Sequence, residues 1–157
     1  MPVMRDGAKD GVDADGAGSG AGGEVGDERA LVDRWRDILA LHARTQCELD
    51  RALHVHGLGA SDFEVLDVLA DSAAPHTPGG DCSFRVQEIA DRVHLSQSAL
   101  SRLIARLERD GLVRRAMCVE DRRGVRVVLT DDGHALHGAV LPVQRAVLAR
   151  MLTAGQA

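Results

Sequence analysis

Residues 96–115 read SQSALSRLIARLERDGLVRR, and their polar members fall into two chemical sets. Ser96, Gln97, Ser98 and Ser101 crowd the start of the segment. Short hydroxyls there let a backbone come close to a partner, and a glutamine amide sets an acceptor beside donor hydrogens. Arg102, Arg106 and Arg115 follow. A guanidinium is a planar fork of donors that matches a phosphate or the edge of a guanine. Leu100, Leu103, Ile104 and Leu107 recur between them at three- and four-residue steps, the apolar stripe of an amphipathic helix. Such a helix fits the major groove of double-stranded DNA, where its first turns face the base edges. Gln97 is then placed to bond an adenine edge bidentately, and Arg102 and Arg106 to reach guanine or phosphate. A merely solvated helix face has a similar composition, so the flanking elements must decide.

Charge supports a local anionic partner. The 157-residue chain is acidic overall, at −5, but unevenly so. Residues 1–28 hold seven acids against Arg5 and Lys9, whereas residues 85–130 hold ten arginines against six acids. A basic block inside an acidic protein marks a surface for phosphate. Residues 1–27, rich in Gly, Ala and Asp, have almost nothing large and apolar to bury and are expected to be a disordered tail. No run of about 18 apolar residues is present to span a membrane, and no basic-then-apolar order at the N-terminus marks a secretory signal. Cys47, Cys82 and Cys118 are odd in number and form no CxxC pair, which fits a reducing cytoplasm; with DNA as the partner, a cytoplasmic, nucleoid-associated protein is expected. No P-loop, GxSxG, HExxH or GxGxxG occurs, so neither catalysis nor a cofactor is expected.

The elements that must position the polar turn are legible in outline. A helix is expected from Glu28, with Leu31, Trp35, Ile38, His42, Thr45, Leu49 and Leu53 on one face. It should end at His56-Gly57-Leu58, with Gly57 left-handed and Leu58 folding back on Leu53. Ser61 and Glu64 have the spacing of a capping box for a helix over 62–71, with Val65, Leu66, Val68 and Leu69 inward. After a stretch broken by prolines and glycines, VQEIADRV forms a short helix, and His94, Leu95 and Ser96 turn the chain. Ser96 caps the quoted helix, which Gly111 ends with Leu112 packing on Leu107. Residues 112–119 and 125–129 read as a hairpin around a charged turn. Thr130 then caps a last helix carrying Leu136, Val140, Val143, Val147, Leu148 and Met151, with Pro142 inside it.

A short helix, tight turn, helix and arginine-tipped hairpin make a winged helix-turn-helix, mainly α with a small β-hairpin wing. At these residues the chain resembles the MarR family of bacterial regulators. LSQSALSRLIARLERDGLVRR is similar to that family's recognition helix and first wing strand. EDRRGVRVVLTDDG resembles its wing, with D-x-R as Asp121-Arg122-Arg123 and L-T-x-x-G as Leu129-Thr130-Asp131-Asp132-Gly133. The resemblance covers roughly residues 28–152. It implies a homodimer on a palindromic operator, with residues 28–57 and 131–157 as dimerisation helices and 61–130 as the DNA-binding region. It also implies that Arg123, beside Arg122, enters the minor groove while Asp121 braces the wing. Family members usually continue into a further helix, and here Thr153 and Gln156 have the spacing of its capping box near the last residue.

Several signals leave alternatives open. Trp35 and His42 lie near where MarR-like proteins bind small aromatic or phenolic effectors, with Arg36 and Asp67 as polar handles; a core Trp and a satisfied His are the plainer reading. Cys47 lies off the apolar stripe, as a peroxide-sensing thiol would. His134 and His137, three apart, supply half of a metal site. A winged-helix module for protein partners is the remaining alternative to a DNA-binding repressor.

Overall fold

The computed structural model describes residues 21–71, 84–117 and 125–153, with side chains over 26–71, 84–116 and 126–153. Five helices and three strands follow in the order α1 (Ala21–His54), α2 (Ala60–Asp71), β1 (Phe84–Arg85), α3 (Val86–Val93), α4 (Gln97–Arg109), β2 (Val113–Met117), β3 (Val125–Leu129) and α5 (Asp131–Thr153). The chain divides into two units, one ending at Leu39 and one beginning at Ala40.

In the first unit, α1 begins at Ala21 rather than at the expected Glu28, so residues 21–27 are helical rather than part of a tail. Once a helix is nucleated, each added residue contributes a hydrogen bond without a new nucleation cost, which carries the helix through poor formers such as Gly22 and Gly23. Leu31, Trp35 and Ile38, expected to face inward, are 62%, 57% and 51% exposed.

The second unit has one core. Phe63, Leu53, Leu66, Ile89, Leu100, Ile104, Leu107, Val65, Val113, Val127 and Val140 are its largest members, contributed by the end of α1, by α2 to α5 and by β2 and β3. The stripe on α4 is buried at all four expected positions. Phe63, wholly buried, was absent from the inner face expected for α2. That helix also starts earlier than expected, because its cap is not Ser61 with Glu64. Asp62 Oδ2 accepts from the Gly59 N–H at 2.8 Å, and Asp50 Oδ1 accepts from the Ala60 N–H at 2.7 Å. A carboxylate from α1 thus supplies a cap that no local pattern announces.

Both glycine stops form as expected. Gly57 and Gly111 have φ of +74°, and Leu58 N–H and Leu112 N–H donate back to Leu53 O and Leu107 O, the pattern of the Schellman motif. The expected hairpin is present as β2 and β3, paired antiparallel from Val113↔Leu129 to Met117↔Val125. Its other edge is covered by β1, Phe84↔Val127 and Arg85↔Arg126, a strand too short to show periodicity. The wing turn lies outside the described residues, as do Cys82, Cys118 and Gln156. Thr153 is the last residue of α5 rather than a new cap, and its hydroxyl donates to the Ala149 carbonyl.

The junction between α4 and α5 is the tightest point. Thr130 N–H donates to Leu112 O at 3.1 Å, and the Thr130 hydroxyl donates to Gly111 O at 2.6 Å while accepting from Gly133 N–H at 3.0 Å. A Cβ at Gly133 would lie 2.0 Å from Leu112 O and 3.2 Å from Leu129 Cδ2, whereas one at Gly138 would meet nothing within 4 Å. Gly133→Ala must displace backbone and should destabilise by about 3 kcal/mol or prevent folding. Gly138→Ala, on the exposed face of the same helix, should stabilise by about 0.5–1 kcal/mol. Urea midpoints of the two variants check the contrast.

Candidate nucleic-acid interface

The DNA-facing candidate is the exposed side of α3 and α4. Ser96 accepts from Ala99 N–H at 3.3 Å, so its hydroxyl is engaged as the N-cap. Gln97, Ser98 and Ser101 are exposed on the first turns, while the buried stripe holds the opposite face to the core. Turns of this kind can enter a groove without exposing apolar surface.

The arginines on this face are not equivalent. Arg106 Nη2 pairs with Asp62 Oδ1; the two side chains are 52% and 7% exposed. Asp62 therefore caps α2 with one oxygen and tethers Arg106 with the other. Arg115 Nε is 3.2 Å from Glu108 Oε2. Arg102 has no carboxylate partner among the described residues and is exposed. With the expected Arg106, and with Arg109, which the sequence did not single out, it lines a shallow groove of about 350 Å³ beside α4. Asp121, Arg122 and Arg123 lie outside the described residues.

Of the expected effector residues, His42 lines a crevice of about 400 Å³ together with Gln46, Ser61, Glu64, Arg92 and His94. Arg92 is fixed by its guanidinium carbon 4.4 Å from the centre of the Phe84 ring, a cation–π contact. Glu64 is an exposed residue, yet partial burial of its carboxyl and the negative charge of Asp67 raise its pKa, against Arg145 and His94. Trp35 and Arg36 belong to the unit that ends at Leu39, where Arg36 Nη1 pairs with Asp33 Oδ1 at 3.3 Å.

Asp67 is committed elsewhere. Its two oxygens meet His137 Nε2 and Arg145 Nη2, each at 2.8 Å, and the His137 ring stacks on Phe63 at 5.3 Å between centroids. A carboxylate only accepts, so His137 Nε2 carries the hydrogen in this contact. His137 is therefore engaged by α2 rather than paired with His134 around a metal, and no cluster of three metal-ligating side chains occurs among the described residues. Cys47 is free and exposed.

A buried helical core with a three-stranded wing sheet and an exposed polar turn on α4 defines a winged helix-turn-helix protein. A family model for the MarR family matches residues 56–124. AbsC from Streptomyces coelicolor, a MarR family transcriptional regulator of known structure, is 32% identical, with 75% of each chain covered and a TM-score of 0.65. Sco3205, a MarR family regulator from the same organism solved in complex with DNA, is 29% identical over 81% of this chain and 74% of its own, with a TM-score of 0.67. The transcriptional repressor MdtR of Bacillus subtilis is 28% identical over 80% of this chain and 76% of its own. The chain belongs to the MarR family, and it is a DNA-binding transcriptional regulator. No helix among the described residues is long and apolar enough to cross a membrane.

Two outcomes follow from the pairings. Arg102→Ala should weaken binding to all DNA sequences alike and lower the slope of log K against log salt by about one, whereas Arg106→Ala should also lower the melting temperature by stranding Asp62. Burial pushes the Asp67 carboxyl up, but the hydrogen bonds from His137 and Arg145 outweigh it and hold it below the ordinary aspartate value. Its contribution is thus complete above about pH 4 and is lost as pH falls through the lowered value. Asp67→Asn should cost about 1–3 kcal/mol at neutral pH, and the gap from the parent protein should close in acid melting curves.

Proposed function

We propose that the chain acts as a homodimeric, cytoplasmic repressor that reads a palindromic operator near its own gene and is released by a small aromatic or phenolic acid. The observation that carries the DNA reading is the division of α4 between an exposed Gln97-Ser98-Ser101 turn and a wholly engaged apolar stripe. Ser96 supplies the cap, and Arg102, Arg106 and Arg115 supply the flanking positive charge. At the wing Arg123, beside Arg122, extends the contact into the minor groove, where an arginine responds to groove width rather than to a base code, and Asp121 braces the wing.

Dimerisation is supported by the exposed apolar face of α1. Leu31, Val32, Trp35, Ile38 and Leu39 are all exposed in the single chain, and a run of that kind on a soluble protein marks an interface. A second copy of the chain is the occupant that the two-fold operator requires. For the effector, a crevice of about 400 Å³ is within the range of small-molecule sites. Its Arg92 and His42 suit a carboxylate or phenolate, and Leu49, Val93 and Leu95 suit a ring. A ligand that fits one spacing of the two reading helices better than another shifts the protein off DNA by that difference in affinity.

Footprinting on DNA flanking the gene tests this reading. Two protected half-sites about 34–36 Å apart are expected; an unprotected or single-site pattern would contradict it. Arg123→Ala should weaken specific binding while changing stability by no more than about 0.5 kcal/mol. Aromatic acids should release the DNA, and operator DNA should weaken the acid by the same factor. Release by peroxide alone, abolished in Cys47→Ser, would replace the effector reading with a thiol switch.

A further inference from the structure

Gln97 is not isolated on the DNA-facing surface. Its Nε2 donates to Oε1 of Gln87, on the first turn of α3, and Gln87 Nε2 donates to Asp91 Oδ1 at 3.0 Å. Gln87 and Asp91 stand one turn apart on the exposed side of α3. The direction of this chain is set by chemistry. A carboxylate accepts and does not donate, so the end of the Gln87 amide that faces Asp91 must be its NH₂. The carbonyl of Gln87 is then turned to Gln97, which must answer with its own NH₂. One donor hydrogen of Gln97 is used in this way, and its carbonyl oxygen and second hydrogen remain.

We propose that Asp91 is a specificity-determining positioning residue: through Gln87 it fixes which end of the Gln97 amide meets the bases. The inference rests on the placement of α4 in the major groove. A glutamine read bidentately offers one acceptor and one donor, the match for N6 and N7 of adenine. A free amide rotates by half a turn to suit either order of donor and acceptor. An amide held by Gln87 keeps one order, and a base pair in the reverse orientation leaves polar groups unpaired in a site from which water is excluded. The chain also accounts for a carboxylate on a face that meets phosphate, where its charge alone works against binding.

The test uses the full-length protein and operator duplexes that differ at one symmetric pair of positions. The position is the one at which Gln97→Ala flattens discrimination between A·T and T·A. There, Asp91→Asn is expected to reduce the ratio of the two dissociation constants five- to tenfold, because asparagine presents either its oxygen or its NH₂ to Gln87. Overall affinity rises in this variant as a negative charge is removed, but the ratio is free of that effect. Melting temperature should not move, since the residues are exposed. Adding Gln87→Glu to Asp91→Asn should restore the ratio, because a glutamate offers Gln97 acceptors only and needs no partner to orient it. A merely structural role for Asp91 predicts neither the loss nor the rescue. If Gln97→Ala flattens discrimination and Asp91→Asn does not, the relay is overturned while the groove placement stands. If Gln97→Ala changes no ratio at any position, both fall.

Discussion

The backbone carbonyl of Leu112 occupies space that any side chain at position 133 would need, and the setting of the reading helix depends on that approach. Gly111 ends α4 in the left-handed conformation, and Leu112 N–H closes back on Leu107. Leu112 O then receives Thr130 N–H at the end of β3, and the Thr130 hydroxyl joins Gly111 O to Gly133 N–H at the start of α5. The ends of three elements are thus locked within a few residues. Only glycine at 133 permits it. The L-T-x-x-G run thereby acquires a physical meaning: a threonine that serves two backbones and a glycine that lets the third approach. This junction is one path by which movement of α5 reaches α4; another runs through α2, whose Asp67 binds α5 and whose Asp62 binds Arg106.

Electrostatics on the same face is selective rather than merely positive. The protein is acidic overall, yet two carboxylates near α4 are placed against particular cations. Asp62 caps α2 and holds Arg106; Glu108 holds Arg115. Such tethers restrict two long side chains before DNA arrives and so reduce the ordering cost of binding, while Arg102 remains available to a phosphate. Asp67 does similar work between α2 and α5, with His137 and Arg145. Charged groups here set geometry more than they add net attraction.

Local features were legible in the amino-acid order because their causes are local. The α4 stripe, the Ser96 cap, the Gly57 and Gly111 stops and the Thr130 cap all depend on residues within one or two turns. Two features that escaped depend on partners distant in sequence. Asp50 shifts the start of α2 by bonding Ala60, ten residues on, and Asp67 is engaged by His137, 70 residues away. Phe63 could not be assigned inward while the cap was placed at Ser61. Gln87 gave a weaker signal: a second glutamine on the first turn of the helix before Gln97, exposed on the same surface. Trp35 and its neighbours fit an inward stripe by period alone, but the period marks a face that needs cover without saying whether this chain or another provides it.

The central claim is that the first turn of α4 lies in the major groove of DNA, and methylation interference tests it directly. Dimethyl sulfate places a methyl group on guanine N7 in the major groove and on adenine N3 in the minor groove. Under α4, blocked binding is expected from guanine N7 methylation at two clusters one helical turn apart, with adenine N3 methylation acting only at the flanks where the wings reach. Interference confined to adenine N3, with guanine N7 methylation tolerated throughout the site, would contradict the account.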